Sequence, residues 1–328
     1  LVDNFGEICN LSPSITPRDN FLFALRHKEP FWLPCPMFDG SVSIVNHGLA
    51  ERRDNGRDDW GVTWEHKDLR SDSFPIRHPL NDPDDVDDYI FPSPDAPQII
   101  EEAKRTASKV DLRRVVLVGN NGWGLFERAW LLTGMQRLFM WFFRHPDAVK
   151  RLVRQIADVK IRLSERLIDE VGVDMIMYGD DWGMEEKSLI SLEHWRTFIK
   201  PWQSELYRVA KQRGVMVYQH SDGRVEDFIP DLIEIGVDIL NIQRECNSWT
   251  NIIRDHRKRV TMWGGVSART LDVGTPQEVS REVEECARLG RSGGLILAPG
   301  HSLKYPEEKI EIMRRTWETK GMYKTTHL

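Results

Sequence analysis

The residues in this chain best suited to chemistry fall in short polar clusters, each at the end of an apolar run. His220-Ser221-Asp222-Gly223 follows the run 215–219, and Gly179-Asp180-Asp181-Trp182-Gly183 follows 174–178. Ala298-Pro299-Gly300-His301 closes the run 294–298, and Asp39-Gly40 follows 33–38. Asn120, Asn121 and Trp123 come just after 115–119, Asn241 and Gln243 sit at the end of 238–242, and Trp263-Gly264-Gly265 ends 260–264. Carboxylates and imidazoles move protons or bind cations, and amides hydrogen-bond substrates. Each group also has a plainer use. An aspartate after a strand suits the N-cap of the next helix, as Asp181 and Asp222 would. A lone loop histidine ordinarily makes a surface hydrogen bond, and Trp195 and Trp202, at helical spacing, read as core.

What raises these clusters above such uses is the set of elements that must carry them. The seven runs above, with 61–65, make eight candidate strands rich in Val, Ile, Leu and Met, the pattern of parallel strands buried on both faces. Between them, 148–171, 193–213, 226–235 and 276–289 repeat apolar residues at helical spacing, the last preceded by Thr275 as N-cap and opened by Pro276. Strands alternating with helices predict an α/β protein of the (β/α)8 TIM-barrel type. A doubly wound sheet is the competitor, but no GxGxxG follows an early strand. In a barrel the catalytic groups gather at the carboxyl ends of the strands, so His220, Asp222 and His301, drawn from two strand ends, can meet at one mouth.

Composition narrows the function further. The chain has 328 residues, with 45 Lys+Arg against 51 Asp+Glu and a net charge of −6, so nothing electrostatic favours nucleic acid or an anionic membrane. No apolar run is long enough for a membrane span and no secretory pattern opens the sequence. Four scattered cysteines (Cys9, Cys35, Cys246 and Cys286) read as free thiols of a cytoplasmic protein. The proline- and aspartate-rich stretch around 66–98 reads as a long surface loop, with Asp82, Asp84, Asp85, Asp87 and Asp88 as a solvated face. A single domain over 1–328, with an N-terminal extension, is expected. The 12 tryptophans are unusually many; Trp123, Trp182 and Trp263 fall at strand ends and Trp249 in the loop after the sixth run, where flat indoles would wall an aromatic substrate or hold a methylammonium.

Several motifs, in order, resemble the uroporphyrinogen decarboxylase superfamily: Thr16-Pro17-Arg18-Asp19-Asn20 and its continuation to Pro30, Gly179-Asp180-Asp181-Trp182-Gly183, His220-Ser221-Asp222-Gly223 running into Phe228-Ile229-Pro230-Asp231, Gly274-Thr275-Pro276, and Leu297-Ala298-Pro299-Gly300-His301. The resemblance implies a (β/α)8 barrel and one of two chemistries. Haem-pathway decarboxylases use an arginine-rich motif after the first strand, where this chain has Pro36-Met37-Phe38-Asp39-Gly40-Ser41, with a carboxylate and no arginine. The other branch comprises methyltransferases that work with corrinoid proteins; several bind zinc through a His-x-Cys pair after the fifth strand and a cysteine after the eighth. The matching residues here are His220, Asp222 and His301, so both cysteines are replaced, each by another metal-ligating type. That harder set would leave zinc, or another divalent metal, more Lewis acidic and suited to an ether oxygen.

The resemblance therefore implies demethylation of a small methoxylated compound, aromatic by preference, with the methyl passed to a corrinoid protein that carries cobalamin separately. In that scheme Asp181 or Asp180 is an additional ligand, a partner orienting a histidine, or a general acid. Asn120, Asn241 and Gln243 hydrogen-bond substrate, and Trp123, Trp182 and Trp263 form walls. The alternatives are a metal-independent decarboxylase using Asp39 or Asp181, and a non-catalytic ligand-binding barrel. The oligomeric state is open, a homodimer included.

Overall fold

Residues 15–66, 73–301 and 303–324 are described by the computed structural model; Cys9 and the start of the expected N-terminal extension lie outside the described residues. The short Val/Ile/Met/Leu runs form strands as their composition requires. In chain order these are β1 (Val42–Asn46), β2 (Gly56–Arg57), β3 (Thr63–Glu65), β4 (Phe74–Arg77), β5 (Val116–Trp123), β6 (Met175–Gly179), β7 (Met216–Ser221), β8 (Ile239–Ile242), β9 (Thr261–Val266) and β10 (Leu295–Pro299). Seven are parallel neighbours in the order β1-β5-β6-β7-β8-β9-β10, with helices between them, giving a curled, TIM-like α/β sheet. The remaining three form a small antiparallel sheet, β2-β3-β4.

Two expected strands are corrected. The run 33–38 does not ladder: Pro34 and Pro36 have no N–H to give, and Pro36–Asp39 turns into a short helix ended by Gly40 at φ 63°. A main-chain bond from Leu297 N–H to the Pro34 carbonyl (2.8 Å) still sets this segment beside β10, and Leu33 N–H donates to the Gly321 carbonyl (2.8 Å). Among the described residues the parallel ladder therefore has seven strands and does not close between β10 and β1. The run 61–65 belongs to the small antiparallel sheet as β3, and the place beside β5 goes to β1, whose interspersed Ser43 and Asn46 hid its strand character.

The Pro17–Leu25 helix plugs the sheet from below. It is started by a capping box between Thr16 and Asp19. Its Arg18 grips Asp174 with two bonds (2.6 and 2.7 Å) and donates to the Val115 carbonyl (2.7 Å), both just before strands. Phe21 and Ala24 of that helix pack with Val116, Val118, Met175, Tyr218, Ile239 and Ile296 inside the curl. Burying each of the larger apolar side chains contributes roughly 1.5–3 kcal/mol. A second cluster joins the outer face of the sheet to the surrounding helices, among them Pro146–Arg166, Lys200–Gln212 and Pro276–Gly290, and it includes Trp60, Val62 and Trp64 of the small sheet region. The described part of 66–98 is largely exposed or half-buried, anchored by buried Leu80 and Val86. No helix among the described residues is long and apolar enough to cross a membrane.

Candidate metal centre

Parallel register brings the polar strand ends together. His220 is the penultimate residue of β7, Asp222 follows that strand, and His301 lies two residues past β10. One ligand atom from each lies within 4.8 Å of the others. His301 Nε2 is 3.2 Å from Asp222 Oδ2, and His220 Nε2 is 3.4 Å from Asp222 Oδ1. Asp181, two residues past β6, accepts the Asp222 backbone N–H at 2.8 Å and stands 3.8 Å from His220 Nε2. The loops after β6 and β7 meet backbone to backbone: a Cβ on Gly223, whose φ is 74°, would lie 2.3 Å from the Gly183 carbonyl carbon.

The electrostatics follow from this crowding. Burial works against ionisation of Asp222, but the His220 and His301 imidazoles beside it outweigh that and hold the carboxyl well below the usual range. Its hydrogen bond raises the His301 imidazole. At His220 burial opposes, and the Asp222 and Asp181 carboxylates overcome it and raise the ring. The set fits a divalent cation. Two imidazole nitrogens and a carboxylate oxygen are ordinary zinc ligands, and three of them leave a position free. Among the described residues, buried Asp222 Oδ1 and His301 Nδ1 have no hydrogen-bond partner, as expected of atoms arranged for a cation and its surroundings.

Two cavities meet at this cluster and share Tyr218, Asn241 and His301. One, of about 480 Å³, is the more polar of the two, with Glu51, Arg52, Asn120, Glu127 and Asp181 against Trp123 and Met177. The other, of about 420 Å³, is apolar, with Pro36, Met37, Trp263, Ala298, Pro299, Leu303 and Tyr305, and with Lys304 at its edge. Of the expected site residues, His220, His301, Asp181, Asn120, Asn241, Trp123 and Trp263 line one or both, and Asp222 lies among them.

Other expected residues are placed differently. Asp39 is turned into the core, where it accepts from Trp32 Nε1 (3.1 Å), Cys35 N–H (3.0 Å) and Ser41 N–H (2.9 Å); it organises the turn before β1. Asp180 is fully buried and accepts the Phe126 and Glu127 N–H groups (3.0 and 2.7 Å) at the start of helix Leu125–Thr133; burial pushes it up to about 7. Trp182 is fully buried against Trp195 and Phe228 and walls neither cavity. Gln243 accepts the Gly223 N–H (2.9 Å), shaping the loop behind Asp222.

Four of the lining residues that sequence reading did not pick out show what signal was available. Tyr218 and Met177 were discoverable, because each lies two residues before a strand-end residue at the site (His220, Gly179) and so shares its face. Glu127, in the first turn after β5, is buried; that burial, with the nearby Asp181 and Asp180 charges, holds its carboxyl well above the usual range. Glu51 binds buried Lys160 and accepts the Trp123 N–H (2.7 Å), and nothing local in its sequence announces this.

A parallel, TIM-like α/β sheet with imidazoles and carboxylates converging at the carboxyl ends of its strands defines a class of scaffold whose sites lie at that mouth. The family model of uroporphyrinogen decarboxylase (URO-D) matches residues 68–319, and the chain belongs to that family. A curated uroporphyrinogen decarboxylase of Salinibacter ruber is 28% identical over 152 residues; the match spans 44% of this chain and 41% of that protein, less than half its length. A solved methyltransferase from Methanosarcina mazei superposes with a TM-score of 0.69 at 16% identity, covering 93% of this chain and 99% of the other, which establishes a shared fold.

Proposed function

We propose that this chain is a methyltransferase that demethylates a small methoxylated, aromatic compound and hands the methyl group to a corrinoid protein carrying cobalamin. The observation that carries this reading is the cluster of His220, Asp222 and His301 at the junction of a polar and an apolar cavity. Family membership and the methyltransferase fold relative support it. A zinc or other divalent ion held by these three side chains would supply Lewis acidity toward an ether oxygen.

The chain's own residues account for the rest. Trp263, Pro299 and Leu303 take the arene in the apolar cavity, leaving the methoxy group at the cluster and its methyl toward the open polar cavity. Asp181 holds the Asp222 backbone in place. The Glu127 carboxyl, which burial and the nearby Asp181 and Asp180 charges bias toward its protonated form, donates its proton to the oxygen as the methyl–oxygen bond breaks and the bonding pair stays on oxygen. Among the described residues Arg52 is the single Lys or Arg in the lining of the polar cavity, which suits such a neutral substrate better than the polyanion a haem-pathway decarboxylase takes. The test is turnover of a panel of methoxylated aromatics with zinc-loaded protein and reduced corrinoid. Methylated corrinoid and an equal yield of the free phenol support the proposal; decarboxylation of an acidic substrate by metal-free protein would replace it.

A further inference from the structure

Behind His220 lies a hydrogen-bonded chain. β7 and β8 pair so that His220 stands directly opposite Asn241, which sets the two side chains on one face. His220 Nδ1 is 2.7 Å from Asn241 Oδ1, and Asn241 Nδ2 donates to the Trp263 main-chain carbonyl at 2.7 Å. That carbonyl is available because the β8–β9 ladder ends one residue earlier, at Leu240 opposite Met262. Beyond it the chain leaves regular strand geometry through Gly264 and Gly265, at φ 138° and 101°.

Donor and acceptor rules give this chain a direction. A carbonyl only accepts, so the Asn241 NH₂ must face Trp263 and its oxygen must face the imidazole. An amide oxygen also only accepts, so the proton sits on His220 Nδ1. In the neutral ring the lone pair is then on Nε2, the atom that faces Asp222 Oδ1 at 3.4 Å and Asp181 Oδ1 at 3.8 Å. A lone pair aimed at carboxylate oxygens is favourable when a cation or a proton lies between them.

We infer that Asn241 is a positioning residue, which fixes the His220 tautomer and aims its Nε2 at the cation position shared with Asp222 and His301. Asn241 is buried, and as a carboxamide it orients the ring without the charge a carboxylate would bring. An uncharged partner preserves the Lewis acidity of a bound ion. Asn241 is thus a support of the imidazole; the substrate-binding role expected from sequence is not needed to explain its contacts. The inference rests on the metal reading for its purpose and on the hydrogen bonds alone for the tautomer.

The experiment compares wild type, Asn241→Leu and Asn241→Asp. Nitrogen-15 NMR of metal-free protein, at a pH where the ring is neutral and with His220 assigned through His220→Gln, reads the tautomer. Competition with a chelator reads zinc affinity. Wild type should show Nδ1–H, Asn241→Leu should mix the tautomers and bind zinc about 10–100-fold more weakly, and Asn241→Asp, which keeps an acceptor opposite Nδ1, should retain the wild-type tautomer. An Nε2–H ring in wild type, or unchanged tautomer and zinc affinity in Asn241→Leu, would overturn the inference and leave the metal reading standing. Failure of wild type to bind zinc would remove the metal reading, and the tautomer comparison would then decide alone whether Asn241 orients the ring.

Discussion

Glu51→Gln should destabilise the protein by about 3 kcal/mol at neutral pH, and the deficit should shrink in acid. Lys160 is buried beneath the polar cavity, bonded to Glu51 and to the Asn121 carbonyl (2.7 Å), while Arg128, fully buried, has its guanidinium 3.6 Å from the Glu51 carboxylate. Arg128 also lies over the Trp60 and Trp123 rings, at 4.6 and 5.3 Å. Burial opposes ionisation of Glu51, but Lys160 and Arg128 outweigh it and lower the carboxyl from 4.5 to about 2. At about 1.4 kcal/mol for each factor of ten, that corresponds to about 3 kcal/mol. Removing one partner of a buried pair costs about 3–5 kcal/mol, a similar size.

The sign follows from the depressed folded-state value. The contribution is complete above the unfolded value of 4.5, and it is lost as pH falls toward 2. At about pH 3.5 roughly 2 kcal/mol should remain. Glutamine keeps an oxygen for the Trp123 N–H, so the charge is the main thing removed. Urea unfolding of both proteins across this range, followed by tryptophan fluorescence, gives the difference directly. A deficit below about 1 kcal/mol at neutral pH, or one that does not narrow in acid, would refute the electrostatic account of this strut.

Four further substitutions separate the roles of neighbouring residues. Asp222→Cys should retain zinc but slow ether cleavage about 10-fold or more, because a thiolate softens the ion; an unchanged rate counts against Lewis-acid assistance. Trp182→Ala should lower stability by about 3–5 kcal/mol in denaturant, whereas Trp263→Ala should chiefly raise KM for an aromatic substrate; the reverse pattern would exchange their assignments. Gly223→Ala forces a Cβ into Gly183 at an unfavourable φ, so zinc affinity measured by chelator competition should drop, and wild-type affinity would show that the two loops need not touch.

Much of the sheet was legible because parallel strands buried on both faces leave continuous apolar runs, as in 174–178 and 215–219. The beginning of the sheet was not. β1 carries Ser43 and Asn46 and is only partly buried, while 33–38 has strand-like composition but contains two prolines that cannot donate to a ladder. The two histidines and Asp222 could be read from their place after strands, since register then fixes their meeting. Asp39, Asp180 and Trp182 occupy equally suggestive places, yet they bond backbone N–H groups or pack in the core. Which way a side chain turns at a strand end depends on neighbours far away in sequence. Glu51, 109 residues from Lys160, shows the same limit: its partner is set by the fold alone.

The central claim is tested most directly by elemental analysis of the purified, untagged protein beside His301→Ala. The account predicts about one zinc or other divalent ion per chain in wild type, and its loss in the variant with the fold intact. A wild-type protein that holds no metal even after reconstitution with zinc, or a variant that keeps the full complement, would contradict it.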